Sequence, residues 1–227
     1  KNLDVDRQIG DRRGRNYTEA KIVGPSVSLP CGPDLCSLYC NIACDRFAIG
    51  VTDRKDYYHQ LKVTPSKAFY NAVGPPIPCN LVAETEGYKE YLERSRPRRY
   101  VREKQGDRLA PRSLLVDSPG HVRIAFKSVF QGDHAGVDFA TCAHVNFLQS
   151  RGLLNDDSRI VSTAALQSRD LCQGLVIDDF FVISREKQGS DIHKSVAAQK
   201  LEQARQAYEQ DGILGSPEKD VLDFKAK

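Results

Sequence analysis

The feature that most constrains this chain is a pair of adjacent acids set inside apolar sequence: Leu175-Val-Ile-Asp178-Asp179-Phe-Phe-Val-Ile183. Apolar runs on both sides of the pair have the pattern of a β-hairpin with the acids at its turn. Two neighbouring carboxylates in apolar surroundings are costly unless something offsets their charge. A divalent cation is the simplest offset, and magnesium prefers carboxylate oxygens while keeping room for substrate phosphates. Taken alone, the same string also suits an exposed turn.

A third acid narrows the choice. Residues 47–52 form a short apolar run bounded by charge, read as a buried strand, and Asp53 ends it. If that strand neighbours the hairpin, Asp53, Asp178 and Asp179 converge. Convergent carboxylates are what two metal ions about 3.5–4 Å apart require, one activating an attacking hydroxyl and the other stabilising the leaving oxygens. Phosphoryl or nucleotidyl transfer is the matching reaction class.

The remaining sequence supplies strands and helices around these acids. Residues 1–24, rich in Arg, Asp and Asn with Gly10 and Gly14, are expected to be an exposed hairpin or extended segment. A helix is expected to open over residues 30–34, with Leu35, Leu38 and Tyr39 on its apolar side. Cys36, Cys40 and Cys44 recur every four residues, which on a helix is one face, and with Cys31 they read as small buried residues rather than zinc ligands. Prolines 65, 75, 76 and 78 with Gly74 predict irregular structure over 65–88. Residues 89–112 hold nine basic residues against four acids, which fits either a solvated insertion or a strip contacting a phosphate backbone. Two strands, 114–116 and 122–126, are expected to be joined by a turn at Pro119-Gly120. Val137, Ala140, Ala143 and Phe147 have helical spacing, and so do Ile192, Val196, Leu201, Ala204 and Tyr208. Ser190 or Asp191 can cap the second helix and Gly212 can end it. Strands interleaved with helices make the expected class α+β.

Composition excludes some alternatives. No run of 18 apolar residues is present, so no membrane span and no membrane partner is expected. Seven cysteines without a secretory leader favour a reducing, intracellular location, cytoplasm or nucleus. The net charge of +3 is too small to argue for nucleic-acid binding by itself. Methionine is absent throughout, and the chain therefore reads as an internal fragment or a trimmed gene product.

The string Asp53-Arg-Lys-Asp-Tyr-Tyr58-His-Gln60 resembles the first catalytic motif of reverse transcriptases from LTR retrotransposons and retroviruses. Val176-Ile-Asp178-Asp179 is similar to the family's Tyr-x-Asp-Asp hairpin. Phe130-Gln131-Gly132 with the helix after it resembles the motif between them, and the order of the three is the family's. Further matches are Arg7, Asp11, Arg13 and Asn16 of a fingers pattern, Leu29-Pro30 with Asp34-Leu35 and Leu38, and the segment from Gly212 to Lys219.

The resemblance implies a right-hand polymerase palm, a ferredoxin-like antiparallel sheet with packed helices, plus fingers and no thumb. Residues 1–46 would be a first part of the fingers and 47–64 the palm strand with the first motif. Residues 65–128 would be a second fingers segment with the basic insertion at 89–112. Residues 129–227 would be palm, with the acid-pair hairpin near 175–184 and a helix over 191–211. Asp53 and Asp178 would bind two Mg2+ ions, or Mn2+, with Asp179 completing the cluster. Arg7, Asp56, Tyr57, Tyr58, Gln131 and Lys219 would contact the deoxynucleoside triphosphate, and Tyr58 would leave no room for a ribose 2′-hydroxyl. A primer on an RNA or DNA template is the implied partner, and Arg96, Arg98 and Arg99 the candidate backbone contacts. Departures from the family pattern are Val176 for an aromatic, Val129-Phe130 for Leu-Pro, and Arg12 for an aromatic. Two other readings stay open: an inactive retroelement-derived remnant that binds nucleic acid, and an RNA-copying RNA polymerase, against which Tyr58 weighs. His121, His134 and His144 show no partner in the sequence.

Overall fold

The computed structural model describes residues 11–17, 19–95, 120–162, 164–166 and 168–224. Arg7, Arg96, Arg98 and Arg99, the expected strand at 114–116 and most of the basic stretch lie outside them. In chain order the elements are α1 (Arg13–Asn16), β1 (Asp45–Thr52), α2 (Tyr57–Gln60), α3 (Pro65–Phe69), β2 (Ala72–Pro78), α4 (Cys79–Val82) and α5 (Glu86–Ser95). There follow β3 (His121–Ala125), α6 (Gly136–Ser150), β4 (Leu171–Val176), β5 (Asp179–Lys187), α7 (Val196–Gln210) and β6 (Val221–Asp223). Two compact units emerge: Lys1–Lys62 with Ser128–Lys227, and Val63–Lys127.

The larger unit is built on one antiparallel sheet in the order β4-β5-β1-β6. Strand alternation sends Ala48, Gly50 and Thr52 of β1 and Phe180, Val182 and Ser184 of β5 to one face. Helices α6 and α7 cover that face, and the main core gathers Val145, Leu148, Leu175, Phe180, Val182, Leu201, Ala204 and Tyr208. Gly50 is required there: a Cβ on it would stand 2.3 Å from Leu201 Cδ1. On the opposite face Ile160, Cys172 and Ile183 form a smaller cluster with Leu35, Leu38, Phe47 and Phe181. This is the mixed α+β class the sequence predicts, with antiparallel strands and packed helices.

Local chemistry explains the helix ends. Ser195 caps α7 by accepting from the Ala198 amide at 3.1 Å, while Asp191 caps a preceding 3-10 turn through His193 N at 3.0 Å. The cap predicted for α7 at Ser190 or Asp191 is therefore four to five residues early. Gly212, at φ 67°, terminates α7 as expected. The buried face of α6 is Ala140, Thr141, His144, Val145 and Leu148, so the predicted face is rotated, with Ala143 in solvent.

Three sequence expectations are overturned here. The helix expected from residue 30 is a 3-10 turn, Gly32–Ser37, that stops at Leu38. Asp34 caps its start by accepting from the Cys31 amide at 2.7 Å, and because the turn ends at Leu38, Cys40 and Cys44 share no helix face with Cys36. Cys31, Cys36 and Cys44 are exposed rather than buried. Near the N-terminus, residues 13–16 are a helical turn instead of an extended segment.

In the smaller unit, residues 65–88 are ordered rather than irregular. Pro65 occupies the first turn of α3, where its missing N–H does no harm, and Thr64 caps that helix. Pro75 and Pro76 fall where the β2–β3 register shifts, in a two-stranded ribbon that tolerates lost ladder bonds. β3 pairs with β2. The unit begins and ends at adjacent points: the Val63 amide donates to the Lys127 carbonyl at 2.9 Å, and in the larger unit Lys62 bridges Ser128. Among the described residues no helix is long and apolar enough to cross a membrane.

Candidate metal centre

The register of β1 on β5 decides where the acids meet. Asp45 lies opposite Lys187 and Thr52 opposite Phe180, and one further step sets Asp53 against Asp179. The β4–β5 hairpin closes on the pair Val176 and Asp179, leaving Ile177 and Asp178 as a two-residue turn. Carboxylate oxygens of Asp53, Asp178 and Asp179 all lie within 4.8 Å of one another. These three could hold a metal ion, and they are the His/Cys/Asp/Glu group compact enough to do so among the described residues.

Ile177 takes φ 58°. A positive φ at the first turn residue suits the primed hairpin turns, where glycine is the usual occupant. For a β-branched residue such a conformation costs about 1–3 kcal/mol and persists only when its surroundings enforce it.

Charge in the cluster is unbalanced. Burial pushes the Asp179 carboxyl up, the charges of Asp178 and Asp53 push it further, and it titrates at about 6. Burial also raises Asp53, but hydrogen bonds from Lys219 and Ser216 and the lysine charge outweigh it, so its net shift is downward. Asp53 is the site's most buried acid, its side chain 10 % exposed, with Lys219 Nζ donating to Oδ2 at 2.7 Å. The donor set is entirely oxygen, and the Lys219 ammonium supplies one positive charge beside it. Such a set fits a hard divalent ion better than a zinc site of nitrogen and sulfur.

The segment after α7, which ends in the 3-10 turn Pro217–Lys219, delivers the lysine. Leu214 is held by both ends of the Gln60 amide, accepting from Nε2 at 3.0 Å and donating to Oε1 at 2.8 Å. Lys55 N donates to the Leu214 carbonyl at 3.0 Å, and Ser216 N to the Asp53 carbonyl at 3.1 Å. Asp220 accepts from Asp53 N at 3.3 Å and pairs with Arg205 at 2.9 Å. Sequence reading missed Ser216, Asp220 and Arg205, because nothing local marks residues that act across a sheet edge.

Of the other predicted residues, Asp56 is exposed and left-handed at φ 46°, opening α2. Tyr57 is buried, its hydroxyl 3.5 Å from the Ala140 carbonyl. Tyr58 is half-buried beside Gly136, and burial and the Asp178 charge raise its phenol. Gln131 is exposed between buried Phe130 and Gly132. Its loop is clamped by Asn16, which donates to the Gly132 carbonyl at 2.8 Å and accepts from His134 N at 2.9 Å. Arg12 supports the same loop through Asp133 at 2.7 Å, a use of the departing residue that the sequence did not suggest.

His144 has two partners, contrary to expectation. Its Nδ1–H donates to the Ile177 carbonyl at 2.9 Å and its Nε2 faces the Tyr208 hydroxyl at 2.6 Å. A hollow of about 360 Å³ lies at the opposite end of β1 and β5, but its charges are spent on one another, Lys187 on Asp45 at 2.8 Å and Arg185 on Asp170 at 3.3 Å. Neither a scan against protein-family models nor a search of curated proteins finds a match to the chain.

Proposed function

We propose that this chain is the palm and fingers of an RNA-directed DNA polymerase, adding deoxynucleotides to a primer 3′-hydroxyl. The observation that carries the reading is the meeting of Asp53, Asp178 and Asp179 within 4.8 Å at the ends of neighbouring strands. An all-carboxylate set suits Mg2+, with Mn2+ as a substitute. Bound there, a cation pair supplies a more acidic attacking hydroxyl and charge neutralisation on the transferring phosphoryl group.

The chain's own residues have separable tasks. Asp53 and Asp178 hold the ions and Asp179 completes the cluster. Tyr58, beside Gly136 and within electrostatic reach of Asp178, packs against the deoxyribose and leaves no space for a 2′-hydroxyl. The left-handed Asp56 opens the turn whose amides cradle phosphates together with Tyr57. Gln131 lies against the incoming sugar, and its loop is braced by Asn16. Lys219 hands a proton to the departing pyrophosphate when released from Asp53. Arg7 holds the triphosphate, and Arg96, Arg98 and Arg99 meet the template–primer backbone.

Primer extension on an RNA template with Mg2+ tests the reading, offering deoxy- or ribonucleotides to the chain and to Asp178→Asn. Extension with deoxynucleotides alone, lost in the variant, is expected. Extension that survives Asp178→Asn, or that prefers ribonucleotides, overturns it.

A further inference from the structure

The turn that carries Asp178 is strained and short, and something must hold it. Its first residue, Ile177, has φ 58°, and its carbonyl accepts from His144 Nδ1–H at 2.9 Å. A carbonyl oxygen only accepts, so Nδ1 bears the proton. Nε2 then accepts from the Tyr208 hydroxyl at 2.6 Å, and both ring nitrogens are satisfied. Tyr208 is fully buried and fixed from two sides: Phe147 stacks on its ring at 5.1 Å between centroids, and the Arg54 guanidinium lies 3.9 Å from the ring centroid. Tyr57 closes the other side of His144 at 5.0 Å.

We propose that His144 is a positioning residue for the acid pair: locked in one tautomer by Tyr208, it holds the Ile177 carbonyl and thereby presents Asp178 and Asp179 to a divalent cation. Its chain of contacts runs from Tyr208 of α7 through His144 of α6 to the Ile177 carbonyl in the hairpin turn. A phenylalanine would fill the same space without an N–H, so apolar packing does not demand histidine here. Burial pushes the imidazole down to about 4, which keeps it neutral at physiological pH and keeps Nε2 free to accept. Sequence-distant partners of this kind orient ligands rather than touch the ion, and losing one typically weakens binding 10–100-fold.

The cation part of this proposal rests on the metal-site reading above, and the test separates the two. Without metal, 15N spectra of the imidazole are expected to show the Nδ1–H tautomer. Hydrogen exchange at residues 177–179 is expected to quicken in His144→Phe and Tyr208→Phe while α7 and the rest of β5 stay protected. With Mn2+, His144→Phe is expected to bind about 10–100-fold more weakly than the parent chain. His144→Asn, whose amide N–H can replace Nδ1–H, is expected to recover most of that loss. An Nε2–H tautomer, or unchanged exchange in both phenylalanine variants, overturns the latch whatever the metal does. Full Mn2+ affinity in His144→Phe overturns its role toward the cation. Mn2+ binding that is equal in the parent chain and Asp178→Asn sinks the metal-site reading alone and leaves the exchange result to decide the latch.

Discussion

β1 and β5 run side by side and end in a charged pair at both ends, but the pairs differ in sign. At one end the register sets Asp45 against Lys187, 2.8 Å apart on an exposed rim. At the other it sets Asp53 against Asp179, with Asp178 beside them. Opposite charges across a ladder stabilise it by a few tenths of a kcal/mol to about 1 kcal/mol, and like charges directly opposite do the reverse. The same pair of strands thus matches opposite charges at one end and gathers three carboxylates at the other, where Lys219 pairs with Asp53. An arrangement that works against folding is where a ligand is expected to supply the missing charge.

The sharpest way to break this contrast is Asp178→Asn. It is expected to weaken Mn2+ binding more than about 100-fold, beyond the usual cost of losing an outer partner. Asp45→Asn, at the balanced end, is expected to leave Mn2+ titrations unchanged. Gly50→Ala acts between the two ends, where the new Cβ would stand 2.3 Å from Leu201 Cδ1. Overpacking of this kind costs about 1–3 kcal/mol, read by urea denaturation.

The pH dependence sharpens the comparison further. Asp179 titrates at about 6 against an ordinary 3.8, so its protonated form is the one the fold favours. Without cation, its contribution to stability is present below pH 3.8 and is lost as pH rises through about 6. Asp53 is shifted the other way, so its contribution holds above its ordinary value and is lost as the medium becomes more acidic than that. A cation must displace the Asp179 proton, so Mn2+ affinity should fall about tenfold per pH unit below 6 and level off above it. In Asp179→Asn that slope should vanish. The smallest effect is expected from Lys219→Met. Its ammonium is largely exposed, so its loss should lower metal-free stability by about 0.2–1 kcal/mol and enlarge the thermal shift produced by Mg2+.

The acid site was legible because each acid ends an apolar run, and apolar runs mark buried strands whatever their partners. The register was not legible. That Asp53 falls opposite Asp179 depends on pairing two strands more than a hundred residues apart. His144 was visible as a position, four residues from both Ala140 and Leu148 on the buried face of α6, but its partners belong to other elements. Proline misled over residues 65–88, since a helix start and a two-stranded ribbon can both absorb it. The cysteine spacing misled for the opposite reason. A period of four has helical meaning only where a helix continues, and this one stops at Leu38.

The join at Lys62 and Ser128 has a consequence for how such a chain can diversify. The chain leaves the larger unit at Lys62 and re-enters it at Ser128, and these two residues are bridged. Lengthening a loop whose ends are already fixed costs little, roughly 0.6 kcal/mol per doubling. Relatives of this chain could therefore enlarge, shrink or exchange the segment while the sheet and its acids stay as they are.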